Sequence, residues 1–532
     1  MSRVEVLVIG GGVTGAGVAR DLALRGVDVA LVEKSDFSAG ATGRSHGMLH
    51  SGGRYAVKDP DSAAECARES SVLKRIAAFC IEETGGMFVG TEGDDPDFAD
   101  VFLRGCRMTG VKARELTLKE AASSEPLLSE KIHTAIEVPD ASVDPFSLTI
   151  GNIDDARDLG AEVLNYRRVK GFRREGAEIR EVLIENLRNG AVEAIAPEII
   201  VNATGAWAGE VAALAGLRVD VALDKGTLVV LDGRLVDGLV NRLRRPADGD
   251  ILVPSHSASI VGTTSVSVGT PEDPRGSRTE VESLIAEASR MVPAVGEARV
   301  VRAYAGVRPL PGCGKEGREV TRTFKVIDHE PEGAGNFVSV VGGKLTTYRL
   351  MAEKVSDLVS EKLGASGGCR TAIEPIGPPE GAIGIDGVHA VSATRIERKY
   401  GRQRGAVALA CASTIRGREL LCSCEEVLRG EAEHFCRAGD VRELSDLTRR
   451  TRVGMGFCQS GLCAFGLLSV VIDYSEREPL GLLGEYLGER WKGVEPVLKG
   501  EQLRQEVFKH CLLAGVYHLD ALLGGGNDAK GC

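Results

Sequence analysis

The opening stretch, residues 4–33, leaves few folds open to this chain. Residues 4–9 form a short, β-branched apolar run that reads as a buried parallel strand. It runs straight into Gly10-Gly11-Gly12-Val13-Thr14-Gly15, and then into residues 16–25, whose apolar positions recur with helical spacing. A second strand at 28–32 ends on Glu33. Strand, glycine turn, helix, second strand and terminal acid stand in the register of a dinucleotide-binding βαβ unit. In such a unit Gly10 permits the tight turn, Gly12 admits a pyrophosphate against the backbone, and Gly15 lets helix and strand pack closely. The helix N-terminus offers N–H groups and a partial positive charge to the phosphates. Glu33 stands where an acid accepts a hydrogen bond from an adenosine ribose hydroxyl. A glycine turn that holds no ligand is the plain alternative.

At 532 residues the chain is too long for one compact core, so two or three domains are expected. Its 65 basic residues against 76 acidic ones leave a net charge of −11, which argues against a nucleic-acid binder and gives no basic surface for anionic membranes. The first strand leaves no room for a signal peptide, and the longest apolar stretch, around 462–472, is too short to span a bilayer. A cytoplasmic chain is expected. Of its thirteen cysteines, Cys66, Cys80, Cys106, Cys313, Cys369, Cys411, Cys436, Cys511 and Cys532 are isolated and read as small core residues. Cys422 and Cys424 form a C-x-C pair, and Cys458 and Cys463 a C-x4-C pair. In a cytoplasmic protein such pairs point to metal ligation before disulfides, and four thiolates suit either zinc or an iron–sulfur cluster.

The small-residue run at 38–55 would let backbone lie against a large flat ligand while presenting His50, Arg54 and Tyr55. It resembles the corresponding loop of the FAD-dependent glycerol-3-phosphate dehydrogenases, within the D-amino-acid-oxidase-like flavoproteins. Three further segments are similar to that family: the strand and turn Asn202-Ala203-Thr204-Gly205-Ala206-Trp207, Gly306-Val307-Arg308-Pro309-Leu310, and Gly342-Gly343-Lys344-Leu345-Thr346-Thr347-Tyr348-Arg349. The cysteine pattern resembles the bacterioferritin-associated-ferredoxin-like [2Fe-2S] domain, which aligns the whole with the anaerobic large-subunit branch. The resemblance implies FAD contacts from Gly10, Gly12, Thr14, Gly15, Glu33, Lys34, Ala41, Thr42, Ser45, His46, Gly47, Val169, Ala203, Thr204, Gly205, Trp207, Gly343, Lys344, Leu345 and Thr346. It further implies a substrate pocket with Arg54, Tyr55, Thr264, Arg322 and Lys344 around glycerol 3-phosphate, His50 as base and Arg308 at the developing oxyanion. Several cations converging on one pocket suit a dianionic phosphate ester.

The implied fold is α/β. A Rossmann-type FAD domain with an inserted β-rich substrate sheet occupies 1–365, followed by a linker with short helices at 366–416, the [2Fe-2S] unit at 417–470 and a helical extension at 471–532. In that extension Glu489 to Gly493 reads as a turn, Leu503, Val507, Cys511, Leu512, Tyr517 and Leu519 as an apolar face, and 524–532 as a disordered end. Electrons would leave the flavin through the cluster for partner electron-transfer or membrane-anchor subunits and a quinone-like acceptor, with the chain peripheral at the inner face of the membrane. Two other readings stay open: a flavin dehydrogenase of a 2-hydroxy acid such as 2-hydroxyglutarate, or an electron-carrier or redox-sensing subunit without a substrate.

Overall fold

The computed structural model describes residues 2–312, 317, 320–377 and 387–516; Cys313, Tyr517, Leu519, Cys532 and the 524–532 end lie outside the described residues. Ser2–Ile9 pairs in parallel with Val29–Val32 on one side and Val192–Asn202 on the other. Glu162–Leu164 and Phe337–Gly342 extend the parallel sheet outward, and Phe324–Asp328 joins Phe337–Gly342 antiparallel. Val6, Leu7 and Val8 are fully buried because both faces of the sheet are covered. One face packs under the helices Val13–Leu24, Pro145–Asp158 and Tyr348–Leu363, with Val8, Val18, Leu22 and Val355 in one core. The other packs Leu7 and Ile9 with Ile184, Ala212 and Phe337, under an antiparallel meander of Arg167–Glu175 and Glu178–Asn186. Two covered faces explain the unbroken apolar run of residues 6–9 where a half-exposed strand would alternate.

The second sheet is mostly antiparallel, with Val221–Asp232, Ala258–Gly262, Ile251–Ser255, Leu239–Arg242, Gly86–Thr91 and Ile132–Val138 side by side. Val300–Pro311 pairs along the length of Val221–Asp232. Arg302, Tyr304, Gly306 and Arg308 alternate onto one face of this strand. The 42–47 loop crosses that face at Gly306, so closely that a Cβ there would lie 2.8 Å from Arg44 Cβ. The Tyr304 hydroxyl pins the crossing by donating to the Ser45 carbonyl at 2.9 Å.

The remaining residues form a helical unit with its own core of Ile396, Val407, Cys411, Phe435, Leu447, Leu467 and Leu483. Ala390–Lys399 and Arg404–Ala412 supply part of that core, so the 366–416 stretch is a linker only in its first part. Glu489 to Gly493 is not a turn. It is the last part of the helix Pro479–Val494, where the absence of a side chain on Gly493 lets the helix lie against Arg302 and the Ala303 carbonyl. The unit is fastened to the flavin-type domain through fully buried Asp36, which accepts hydrogen bonds from Arg449 and Arg450 at 2.7–2.8 Å. Among the described residues, no helix is long and apolar enough to cross a membrane.

Candidate active site

The parallel strands end on a cleft of ≈ 1050 Å³ that is also walled by the second sheet. Gly10 takes a left-handed φ of +114°, and a Cβ there would strike the Ala203 carbonyl at 2.5 Å. A Cβ on Gly15 would fall 1.9 Å from the Gly10 carbonyl, so only glycine lets the helix approach the turn. The helix Val13–Leu24 starts at Gly12 with no side-chain cap, which leaves early N–H groups for an anion. The Val13 N–H already donates to Thr42 Oγ1 at 3.2 Å, drawing the 42–47 loop over the turn. Glu33 holds the backbone N–H of Gly11 at 2.7 Å and of Ser35 at 2.8 Å, one on each oxygen. Burial pushes its pKa up, against those two hydrogen bonds. A carboxylate accepts more than one bond per oxygen, so capacity for a ribose hydroxyl remains.

Thr14, Lys34, Ala41, Thr42, Ser45, His46, Val169, Ala203, Thr204, Gly205, Trp207, Gly343 and Leu345 line the same cleft. Gly15, Gly47 and Thr346 stand behind it; the Thr346 hydroxyl accepts the His50 backbone N–H at 3.0 Å. At the mouth Trp207 Nε1 donates to Glu272 at 2.5 Å, and the Lys34 ammonium lies 3.9 Å over the indole. The uncapped helix start, the glycine cradle and the size of the cleft fit an FAD.

His50, Arg54, Tyr55, Arg308, Arg322 and Lys344 also line the cleft, from four separate stretches of chain. Arg308 donates to Asp224 at 2.6 Å and to Thr263 Oγ1 at 2.5 Å, while Arg322 lies 3.6 Å from the same Asp224. Arg54 stands 3.6 Å from buried Asp250, and Lys344 donates to the Arg322 carbonyl at 2.7 Å with Tyr55 5.0 Å below its ammonium. Thr264 does not face the cleft. Its hydroxyl donates to Glu280 at 2.8 Å and accepts the Thr227 N–H at 2.9 Å in a network behind the sheet, and Thr263 lines the cleft instead. Asp224, Asp250 and Thr263 escape sequence reading because their partners are distant in the chain.

His50 is buried edge-on to His46 and Tyr55, at centroid distances of 5.7 and 5.4 Å, and its Nδ1 has no hydrogen-bond partner among the described residues. Burial first, then His46, Arg54, Lys344 and Arg322, hold its pKa well below the ordinary value, so it is neutral at neutral pH. His46 is likewise lowered, to about 3, by burial and then by Arg308 and Arg54; its Nδ1 accepts the Met48 N–H at 3.2 Å.

The thiols of Cys422, Cys463, Cys458 and Cys424 are neighbours in that order, hydrogen-bonded sulfur to sulfur. Hydrogen bonds from Cys463 lower Cys422 to about 6 and Cys458 to about 5, while burial raises Cys424 to about 11. Backbone N–H groups of Glu425 and Gly454 also aim at Cys422, and those of Ser460 and Leu462 at Cys458. The two loops meet only because Gly456 lacks a side chain: a Cβ there would lie 2.3 Å from Cys424 Cβ. Among the described residues, no three His, Cys, Asp or Glu side chains are grouped as ligands of a metal ion.

Residues 5–358 match the family model of FAD-dependent oxidoreductases of the DAO type. Over 526 residues the chain is 40% identical to the A subunit of the anaerobic glycerol-3-phosphate dehydrogenase of Escherichia coli K12, covering 97% of each chain. It is also 40% identical to the A1 subunit of the enzyme of the same name from Haloferax volcanii, over 97% of this chain and 91% of that one. The FAD-complexed glycerol-3-phosphate dehydrogenase of Bacillus halodurans shares the fold, at a TM-score of 0.70 and 22% identity over 94% of this chain and 96% of that chain. Cleft, family model and relatives agree, and the chain belongs to the FAD-dependent oxidoreductases and, among them, to the A-subunit family of the anaerobic glycerol-3-phosphate dehydrogenases.

Proposed function

We propose that the chain oxidises sn-glycerol 3-phosphate to dihydroxyacetone phosphate and passes the electrons through a [2Fe-2S] cluster to partner subunits and a quinone-like acceptor. The observation that carries this reading is the convergence of Arg54, Arg308, Arg322 and Lys344 around a neutral His50 in one cleft. Arg54, Arg322 and Lys344 hold the phosphate dianion, with Tyr55 beside it; arginine forks match phosphate oxygens and lysine adds a point charge. His50 takes the C2 hydroxyl proton on its neutral imidazole. The bound dianion offsets the cations that depress the His50 pKa, so the base strengthens when substrate is present. Arg308, clamped by Asp224, faces the C2 oxygen as negative charge develops there.

FAD bound in the cleft supplies a two-electron acceptor for the C2 hydrogen. Gly10, Gly12, Thr14, Thr42, Glu33, Ser45, Val169, Thr204 and Gly343 would hold it. Cys422, Cys424, Cys458 and Cys463 would hold the cluster, which takes two thiolates per iron and supplies one-electron transfer. The flavin-type domain upstream supports a cluster over zinc, because electrons taken up by a flavin need a redox-active carrier and zinc is not one. The relatives are named as one lettered subunit of a larger enzyme, which supports partner subunits for this chain as well.

Adding sn-glycerol 3-phosphate to the purified protein without oxygen tests the whole reading. Bleached flavin bands together with a paramagnetic reduced cluster are expected. Bleaching alone returns the thiols to zinc, and bleaching by 2-hydroxyglutarate but not by glycerol phosphate overturns the substrate.

A further inference from the structure

A second and larger cavity, ≈ 2160 Å³, lies on the far side of the 42–47 loop, between the flavin-type domain, the second sheet and the helical unit. Arg44 from the loop, Arg302 from the strand Val300–Pro311 and Arg490 from the helix Pro479–Val494 all line it. None of the three forms an ion pair among the described residues. Arg490 is buried and bonds to neutral groups, the Gln459 carbonyl and the Tyr486 hydroxyl, each at 3.1 Å. The Arg302 guanidinium makes no hydrogen bond among the described residues, and its Nε is sealed under Gly493. Burial and the charge of Arg490 lower the Arg302 pKa to about 10. The carboxylate of Glu489, which also faces this region, is paired with Lys492 at 2.9 Å.

Glu489 offsets part of the charge on Arg302 and Arg44, yet three guanidinium groups that form no ion pair among the described residues on one cavity wall still cost stability that a ligand would recover. We infer that this cavity binds an oxyanion of the phosphate class between Arg302 and Arg490, with Arg44 as its third wall. Guanidinium forks match such an anion bidentately. The site joins three parts of the molecule, because Gln459, bonded to Arg490, follows Cys458 directly in the cysteine loop. An anion there clamps that loop and the helical unit against the flavin-type domain. The inference does not rest on the proposed substrate.

Thermal unfolding of the flavin-loaded full chain, in phosphate or sulfate against chloride at matched ionic strength, tests it. A saturable rise of roughly 1–3 °C over chloride is expected. Arg302→Gln cuts that rise without lowering the midpoint in chloride, since its guanidinium has no described partner to lose, and what remains is the substrate cleft's share. A residue of merely structural value would lower that midpoint. Arg322→Gln, in the substrate cleft, keeps the share that Arg302→Gln removes. The proposal is overturned if the wild type shows no such rise, if the rise is undiminished in Arg302→Gln, or if Arg322→Gln removes all of it.

Discussion

The two candidate redox sites are held in different ways. In the cleft, side chains from distant stretches are fixed by buried carboxylates: Asp224 anchors Arg308 and Arg322, and Asp250 stands behind Arg54. At the cysteine loops the sulfurs are approached by backbone N–H groups, and the loops close through a missing side chain at Gly456. The first site depends on charge at a distance and the second on backbone shape nearby. Damage to one should therefore leave the other intact.

The largest effects should separate them outright. His50→Gln is expected to slow single-turnover flavin reduction by ~10²–10⁴-fold while leaving iron content unchanged. Cys458→Ser should do the reverse: flavin reduction by substrate persists, while the paramagnetic signal and turnover with a quinone acceptor are lost. If both variants lose both signals, the sites are not independent. Next in size, Arg308→Lys keeps the charge but breaks the fork to Asp224 and Thr263, and should lower kcat by ~10²-fold in steady-state assays with little change in iron. Gly456→Ala should act on the other side only. Overpacking against Cys424 is expected to lower cluster retention and to destabilise the helical unit by about 1–3 kcal/mol in denaturant unfolding, with flavin reduction unchanged.

The smallest effect is in the pH profile. A base must be deprotonated to act, and an ordinary histidine would lose activity below about pH 6.5. The depressed pKa of His50 moves that loss to lower pH. The acid limb of kcat/KM should then have a slope of one and follow the substrate phosphate, which titrates near ~6. A slope of two would return His50 to the usual range.

The glycine turn and Glu33 are legible in the sequence because they carry local chemistry in a recognisable order, whereas the cleft arginines are brought together only by the family resemblance. Thr264 is misplaced by a single position, since a strand end does not declare which of two threonines turns inward; Thr263 does. Glu489 to Gly493 looks like a turn for its glycine, yet packing against Arg302 keeps it helical. The helices in the 366–416 stretch are short, at ten and nine residues, and only the shared core with Phe435 and Leu467 reveals their place. Asp224 and Asp250 carry no local signal at all.

The alternation of the strand Val300–Pro311 imposes a constraint of length. Arg302 and Arg308 lie on one face, about 20 Å apart at ~3.3 Å per residue, with the crossing at Gly306 between them. Two compartments thus share a single partition wall. Inserting one residue between Arg302 and Gly306 would turn Arg302 to the opposite face while Arg308 kept its place. Over evolutionary time such a wall can be repainted residue by residue, but its length cannot drift.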